Sequence, residues 1–217
     1  MKEPEPLVLF DIDYVLFDDE HYIQEKRRQI ARIFGSTPED IEQFDKAAAD
    51  QTTQERGKFD IATYSRKLSN LLSSPERFTD IVAIFDKSDF YLQSLFQDTT
   101  GVLEKLIKVF RLGVFSEGDK DLQMRKLRKS GILKFFTKEL IFIYPDKIRE
   151  IAGLAEKCKP LAVIDDRPEV VIAWANLGIS KVIRIKRGRY QAEEMLIKQR
   201  NVFEVEGLEA ILPILEE

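Results

Sequence analysis

Residues 7 to 18 read LVLFDIDYVLFD, four apolar residues running into two aspartates separated by one residue, Asp11 and Asp13. A short, continuous apolar run suits a strand buried on both faces. In extended backbone, residues i and i+2 point to the same side, so the two carboxylates are expected to face one spot. Like charges held that closely are unfavourable unless something positive lies beside them. The stretch therefore predicts a buried strand whose carboxyl end meets a cation.

Working outward, further apolar runs read as strands: LGVF (112–115), ELIFIY (139–144), LAVI (161–164) and KVIRI (181–185). They are near-continuous rather than alternating, as in a parallel sheet covered on both faces. Helical patterns fall between them at 100–110, 119–129, 147–158 and 168–177, the last opened by Pro168 and followed by Gly178. This alternation predicts an α/β, doubly wound, mostly parallel Rossmann-like core. Between LVLF and LGVF the patterns are helical instead, at 19–34, 38–50, 58–72 and 75–96, with Thr37-Pro38 as a helix start. The expected organisation is a core of 1–18 and 98–217 with a helical cap, 19–97, inserted after the aspartates.

The chain has 217 residues, 44% of them hydrophobic and 33% charged, with a formal net charge of −4, which suits one large soluble domain or a domain with an insertion. The acidic balance gives no electrostatic reason to expect nucleic acid, and the basic clusters RKLRK (125–129) and RIKRGR (184–189) read as a solvated helix face and a strand exit. Cys158 is the only cysteine, in helical step with Ile148, Ile151 and Ala155, and reads as a small core residue. There is no signal-peptide pattern and no stretch able to span a bilayer, so the expected location is the cytoplasm. The single histidine, His21, reads as a surface or hinge residue and Trp174 as core. Phe44, Phe59, Tyr64, Phe78, Phe85 and Phe90 are expected to pack the cap's interior.

Ligands in such sheets bind beyond the carboxyl ends of the strands. Those ends carry Asp11 and Asp13, then Ser116, Lys147, and Asp165-Asp166. Clustered carboxylates without histidine or cysteine favour Mg2+ over zinc. A lysine and a hydroxyl can hold phosphoryl oxygens, and a carboxylate can attack phosphorus when cations offset the repulsion between two anions. Phosphoryl transfer is the chemistry this set suits.

In order and content these motifs resemble the haloacid dehalogenase superfamily over nearly the whole chain: VLFDIDYVLFD, VFSEG, Lys147 and AVIDDRPE, followed by WANLGISKVIRIKRGRY. The resemblance implies a capped, Mg2+-dependent phosphohydrolase acting on a small-molecule phosphate ester through an aspartyl-phosphate. It implies Asp11 as nucleophile, Asp13 as general acid and base, and Ser116 and Lys147 as phosphate ligands. Mg2+ would be held by Asp11, the Asp13 backbone carbonyl and the pair Asp165 and Asp166, with Asp166 the preferred direct ligand. The dehalogenase branch does not keep an aspartate at position 13, which favours phosphate chemistry. Three positions depart from the family's commonest residues: Tyr14 for glycine, Val15 for threonine, and Glu117 for asparagine. Glu117 would repel a phosphate unless it points away or meets a cationic group of the substrate. The alternatives are a phosphomutase on the same motifs and a phosphate-binding protein without turnover. A receiver domain fits less well, because its acidic pair precedes the phosphoacceptor and it lacks the insertion.

Overall fold

Leu7–Phe10 form the first strand, paired along both edges and with every residue buried, as in a parallel sheet covered on both faces. The structure is a computed structural model describing residues 5–195 and 199–216. The first half runs β1 (Leu7–Phe10), α1 (Asp19–Phe34), α2 (Pro38–Arg56), α3 (Ile61–Leu71), α4 (Phe78–Ile84), α5 (Ser88–Leu92) and α6 (Thr99–Leu106). The second half runs β2 (Arg111–Glu117), α7 (Lys120–Lys129), β3 (Ile141–Tyr144), α8 (Ile151–Cys158), β4 (Ala162–Asp165), α9 (Pro168–Asn176), β5 (Lys181–Ile185), β6 (Val202–Val205) and α10 (Ile211–Glu216).

The strands form one six-stranded sheet in the order β3-β2-β1-β4-β5-β6, and every neighbouring pair is parallel. This is the α/β doubly wound sheet expected from the apolar runs, with β1 at the point where the strand order reverses. The fifth and sixth strands extend that side, and β6 is one strand more than the sequence reading foresaw. VFEV is short and lies at the sheet's edge, where it is only partly buried, so its apolar signal is weak. Some expected spans are shorter. The 147–158 pattern resolves into a 3-10 turn at Ile148–Glu150 and then α8, and 75–96 breaks into a 3-10 turn, α4 and α5.

One face of the sheet is packed by α8 and α9, with Leu7, Leu9, Val163 and Val182 meeting Leu154, Val171 and Trp174. Trp174 is fully buried, its ring edge-on to Phe115 at 5.3 Å between centroids, the core role its pattern suggested. Cys158 is half-buried against the same cluster. Pro168 opens α9, and Gly178, at φ 75°, takes the left-handed position just past its end. No described helix is long and apolar enough to cross a membrane.

By internal contacts the chain divides into two units: residues up to 19 with those from 95 onward, and residues 20–94. The second unit is helical. Thr37 and Asp40 cap α2 reciprocally, Thr37 Oγ1 accepting from the Asp40 N–H at 3.3 Å and Asp40 Oδ2 from the Thr37 N–H at 3.1 Å. Asp60 caps α3 through the Thr63 N–H at 2.7 Å. Of the aromatics assigned to its interior, Tyr64, Phe85 and Phe90 are buried, while Phe44, Phe59 and Phe78 are half-buried.

Candidate active site

Strands β3, β2, β1 and β4 are adjacent and parallel, so their carboxyl ends lie side by side. Asp11 follows β1 directly and is held in line by its N–H donating to the Ile164 carbonyl at 2.9 Å. Ser116 and Glu117 end β2, Lys147 follows β3, and Asp165 ends β4 with Asp166 next. A cleft of about 100 Å³ opens there, lined by Asp11, Asp13, Lys147 and Asp166 together with Tyr14, Glu117, Arg167 and Arg189. Four of the six residues singled out from sequence thus line one cleft. Ser116 and Asp165 do not.

Lys147 is the positive partner of Asp11. Fully buried, it donates through Nζ to Asp11 Oδ2 and, at 2.6 Å, to Asp165 Oδ2. Burial alone would lower the lysine pKa, but the two carboxylates more than offset it and hold the ammonium above its usual range. Asp165 is fully engaged, its other oxygen accepting the Arg167 N–H at 3.0 Å. Asp166 differs. Its Oδ2 is buried without a hydrogen-bond partner among the described residues. Burial first, then the charges of Asp165 and Asp11, push its pKa up to about 9. Asp11, Asp165 and Asp166 each bring a carboxylate oxygen within 4.8 Å of the others, an all-oxygen set that suits a hard divalent cation.

Asp13 has a separate partner. Lys126 Nζ donates to Asp13 Oδ1 at 2.6 Å and to Asp19 Oδ1 at 2.7 Å. Gln123 Nε2 donates to Asp13 Oδ2 at 2.7 Å and to the Glu117 carbonyl at 3.0 Å. The two crowded aspartates are therefore relieved by two lysines, one each. Burial raises the Asp13 pKa to about 6, with Lys126 opposing and Asp19 and Asp11 adding. The sequence reading took 125–129 as a solvated helix face, and for Lys126 the structure corrects this, since it is 3% exposed. Gln123, Lys126 and Leu127 share one side of α7, and the helical spacing of two polar residues with a core leucine was the available signal. The 184–189 cluster divides likewise. Arg184 is buried within β5, bonded to Glu204 at 2.7 Å and to the Tyr190 carbonyl at 2.6 Å, whereas Arg189 is exposed.

The departures at positions 14 and 117 acquire physical reasons. Tyr14 has φ 59°, the left-handed region, which costs a side-chain-bearing residue about 1–2 kcal/mol and which glycine adopts freely. Its ring takes the space beside Gly188, where a Cβ would fall 1.9 Å from Tyr14 Cδ1, so the two positions are matched. Glu117 meets a cation of its own chain: Arg167 Nη1 donates to Oε1 at 2.9 Å, and the Lys147 N–H donates to Oε2 at 3.1 Å. Ser116 is fully buried and its hydroxyl has no hydrogen-bond partner among the described residues. His21 lies in the first turn of α1, within the helical unit.

No protein-family model and no curated protein matches the sequence. Solved structures do. A protein of Burkholderia xenovorans LB400 classed as a haloacid dehalogenase-like hydrolase superimposes with a TM-score of 0.70 at 18% identity, over 96% of this chain and 98% of that one. The chain has the haloacid dehalogenase-like fold. A Bacillus subtilis protein classed as a HAD-hydrolase and solved with magnesium matches with a TM-score of 0.61 at 14% identity, covering 99% of this chain and 100% of that one. The L-2-haloacid dehalogenase of Xanthobacter autotrophicus, solved with chloropropionic acid covalently bound, matches with a TM-score of 0.58 at 16% identity over 98% of each chain. Within the haloacid dehalogenase-like fold different reactions occur, so the chemistry of this chain has to follow from the residues in its cleft.

Proposed function

We propose that this protein is a Mg2+-dependent phosphohydrolase that cleaves a small phosphate monoester through an aspartyl-phosphate. The observation that carries the reading is that one cleft is lined by Asp11 paired with buried Lys147 and by Asp13 held on a separate lysine. Asp11 attacks phosphorus, and its O–P bond forms as the bond to the leaving oxygen breaks. The Asp13 proton passes to that oxygen. Water then attacks the phosphoryl group, Asp13 takes its proton, and Asp11 and phosphate are freed. A halide leaves without protonation, so an aspartate held at position 13 supports an oxygen leaving group.

Lys147 keeps the nucleophile's charge from repelling the substrate and offers a donor to the phosphoryl oxygens; the unpartnered Ser116 hydroxyl, outside the cleft's lining, would have to turn toward the cleft to join it. Mg2+ fits the carboxylate set, with Asp166 Oδ2 and Asp11 as ligands beside the Asp13 carbonyl; Asp165 is taken up by Lys147 and Arg167. When bound, it would neutralise charge on the carboxylates and the phosphoryl oxygens.

The test is phosphate release from sugar phosphates, nucleotides and phospho-acids, with and without Mg2+. Turnover is expected for at least one ester, only with the metal, and Asp11→Asn should abolish it. A wild-type protein inactive across the panel, or an Asp11→Asn variant of full activity, would overturn the reading.

A further inference from the structure

We propose that Lys126 and Gln123 are positioning residues that fix the Asp13 carboxyl for proton transfer to the leaving oxygen, an inference that rests on the phosphohydrolase reading. The observation behind it is a nearly inaccessible lysine that serves two acids at once. Lys126, 3% exposed, stands between Asp13 and Asp19 at 2.6 and 2.7 Å and lies 5.1 Å from the Phe17 ring centroid. Burying an ammonium costs several kcal/mol unless its charge and its donors are satisfied, so this lysine is held in place by what it holds.

Gln123, also 3% exposed, completes the grip. Its amide nitrogen binds Asp13 Oδ2 and, through the Glu117 carbonyl, the end of β2. A carboxylate offers about four lone-pair sites. Lys126 takes one on Oδ1 and Gln123 one on Oδ2, so rotation of the carboxyl is blocked from the α7 side while Asp13 still lines the cleft. α7 is itself anchored, since Asp119 caps it through the Leu122 N–H at 2.9 Å and Ser130 Oγ closes it on the Lys126 carbonyl at 2.6 Å. A merely structural lysine would neutralise Asp13 and Asp19 without regard to which lone pair faces the substrate. A positioning pair leaves the carboxyl open only away from α7, toward the cleft, the side from which the proton leaves.

The two roles separate by leaving group. In the first step the Asp11–phosphorus bond forms, the phosphorus–oxygen bond to the leaving group breaks, and the Asp13 proton goes to the departing oxygen. An alkyl leaving oxygen needs that proton, whereas p-nitrophenolate leaves well without it. The experiment measures kcat/KM, which ends at leaving-group departure, for p-nitrophenyl phosphate and glycerol phosphate with Mg2+. The proteins are wild type, Lys126→Met, Lys126→Arg and Gln123→Leu, with thermal unfolding recorded for each. A misplacement of about 1 Å costs on the order of 10²-fold, so Lys126→Met and Gln123→Leu should lose about that much on the alkyl ester and only a few-fold on the aryl ester. Lys126→Arg should recover part of the alkyl activity. Equal losses on both esters in Gln123→Leu, which removes only a neutral donor and serves if Lys126→Met fails to fold, would overturn the positioning role while leaving the phosphohydrolase reading standing. A wild-type protein that releases phosphate from no ester overturns both.

Discussion

At the scale of single residues, the carboxylates in and beside the cleft stand in three electrical situations: Asp11 and Asp165 on Lys147, Asp13 on Lys126, and Asp166 with a bare buried oxygen. The last has a consequence for pH. Asp166 is raised to about 9 by burial and by its two acidic neighbours, well above the ~3.9 of an unfolded aspartate. Its protonated form therefore favours the folded chain, a contribution fully present below about pH 3.9 and lost as pH rises through about 9. If Asp166 is a Mg2+ ligand as proposed, the ion would replace that proton. Its affinity, and the rise in Tm it causes, should accordingly be larger near pH 9 than near pH 6, measured by titration calorimetry and thermal unfolding. An equal or larger effect on the acid side would remove Asp166 as a ligand. The same residues show what spacing can and cannot convey. The i, i+2 aspartates and the position of Lys147 were legible, while the separate lysine for Asp13 comes from a helix 113 positions further along the chain.

Among the elements, the helical unit is tied by one buried charge cluster. Asp45 of α2 accepts from Lys26 at 2.6 Å and Arg27 at 2.9 Å on α1, and from the Tyr64 hydroxyl of α3 at 2.6 Å. Burial pushes the Asp45 pKa up, but Lys26, Tyr64 and Arg27 overcome it and hold the carboxyl below its usual range. Its contribution to stability is thus present above about pH 3.9 and lost as pH falls through the lower folded value. Asp45→Ala strands Lys26 and leaves Arg27 only Glu42, at 3.3 Å, and should destabilise the unit by about 3–5 kcal/mol, read by urea unfolding at neutral pH. A loss under about 1 kcal/mol would mean the cluster is hydrated and contributes no more than a surface pair. Nothing in the sequence marked Asp45 as buried. It sits at the helical step of Ile41 and Ala48, and an aspartate there is ordinarily read as a break in the apolar stripe.

At the scale of the whole molecule, the insertion leaves and re-enters the sheet-bearing unit at neighbouring points. Phe17 and Leu95 form an antiparallel bridge, the Phe96 N–H donates to the Leu16 carbonyl at 3.2 Å, and Thr99 Oγ1 donates to the same oxygen at 2.9 Å. Ends this close can be joined directly at little entropic cost. A chain in which a short Gly/Ser linker replaces 20–94 should keep its α/β circular dichroism and unfold in one cooperative transition. A non-cooperative product would show that the sheet-bearing unit depends on the insertion, against the boundaries expected from sequence.

By itself, the sequence determined the parallel core and the residues at its strand ends, because apolar runs and the residues that terminate them are local patterns. It also led to the expectation of a helical insertion at 19–97, and by internal contacts residues 20–94 form a separate helical unit. Only the tertiary structure decided how the charges are divided. Lys126 and Arg184 look solvated in a linear reading, and both are buried because acids or carbonyls from distant segments surround them. Glu117 looked repulsive until Arg167 stood beside it. The ring of Tyr14 has its place because Gly188 carries no Cβ there. In each case the deciding energy is a pairing or contact between residues far apart in the chain, and spacing along one strand or helix carries no trace of it.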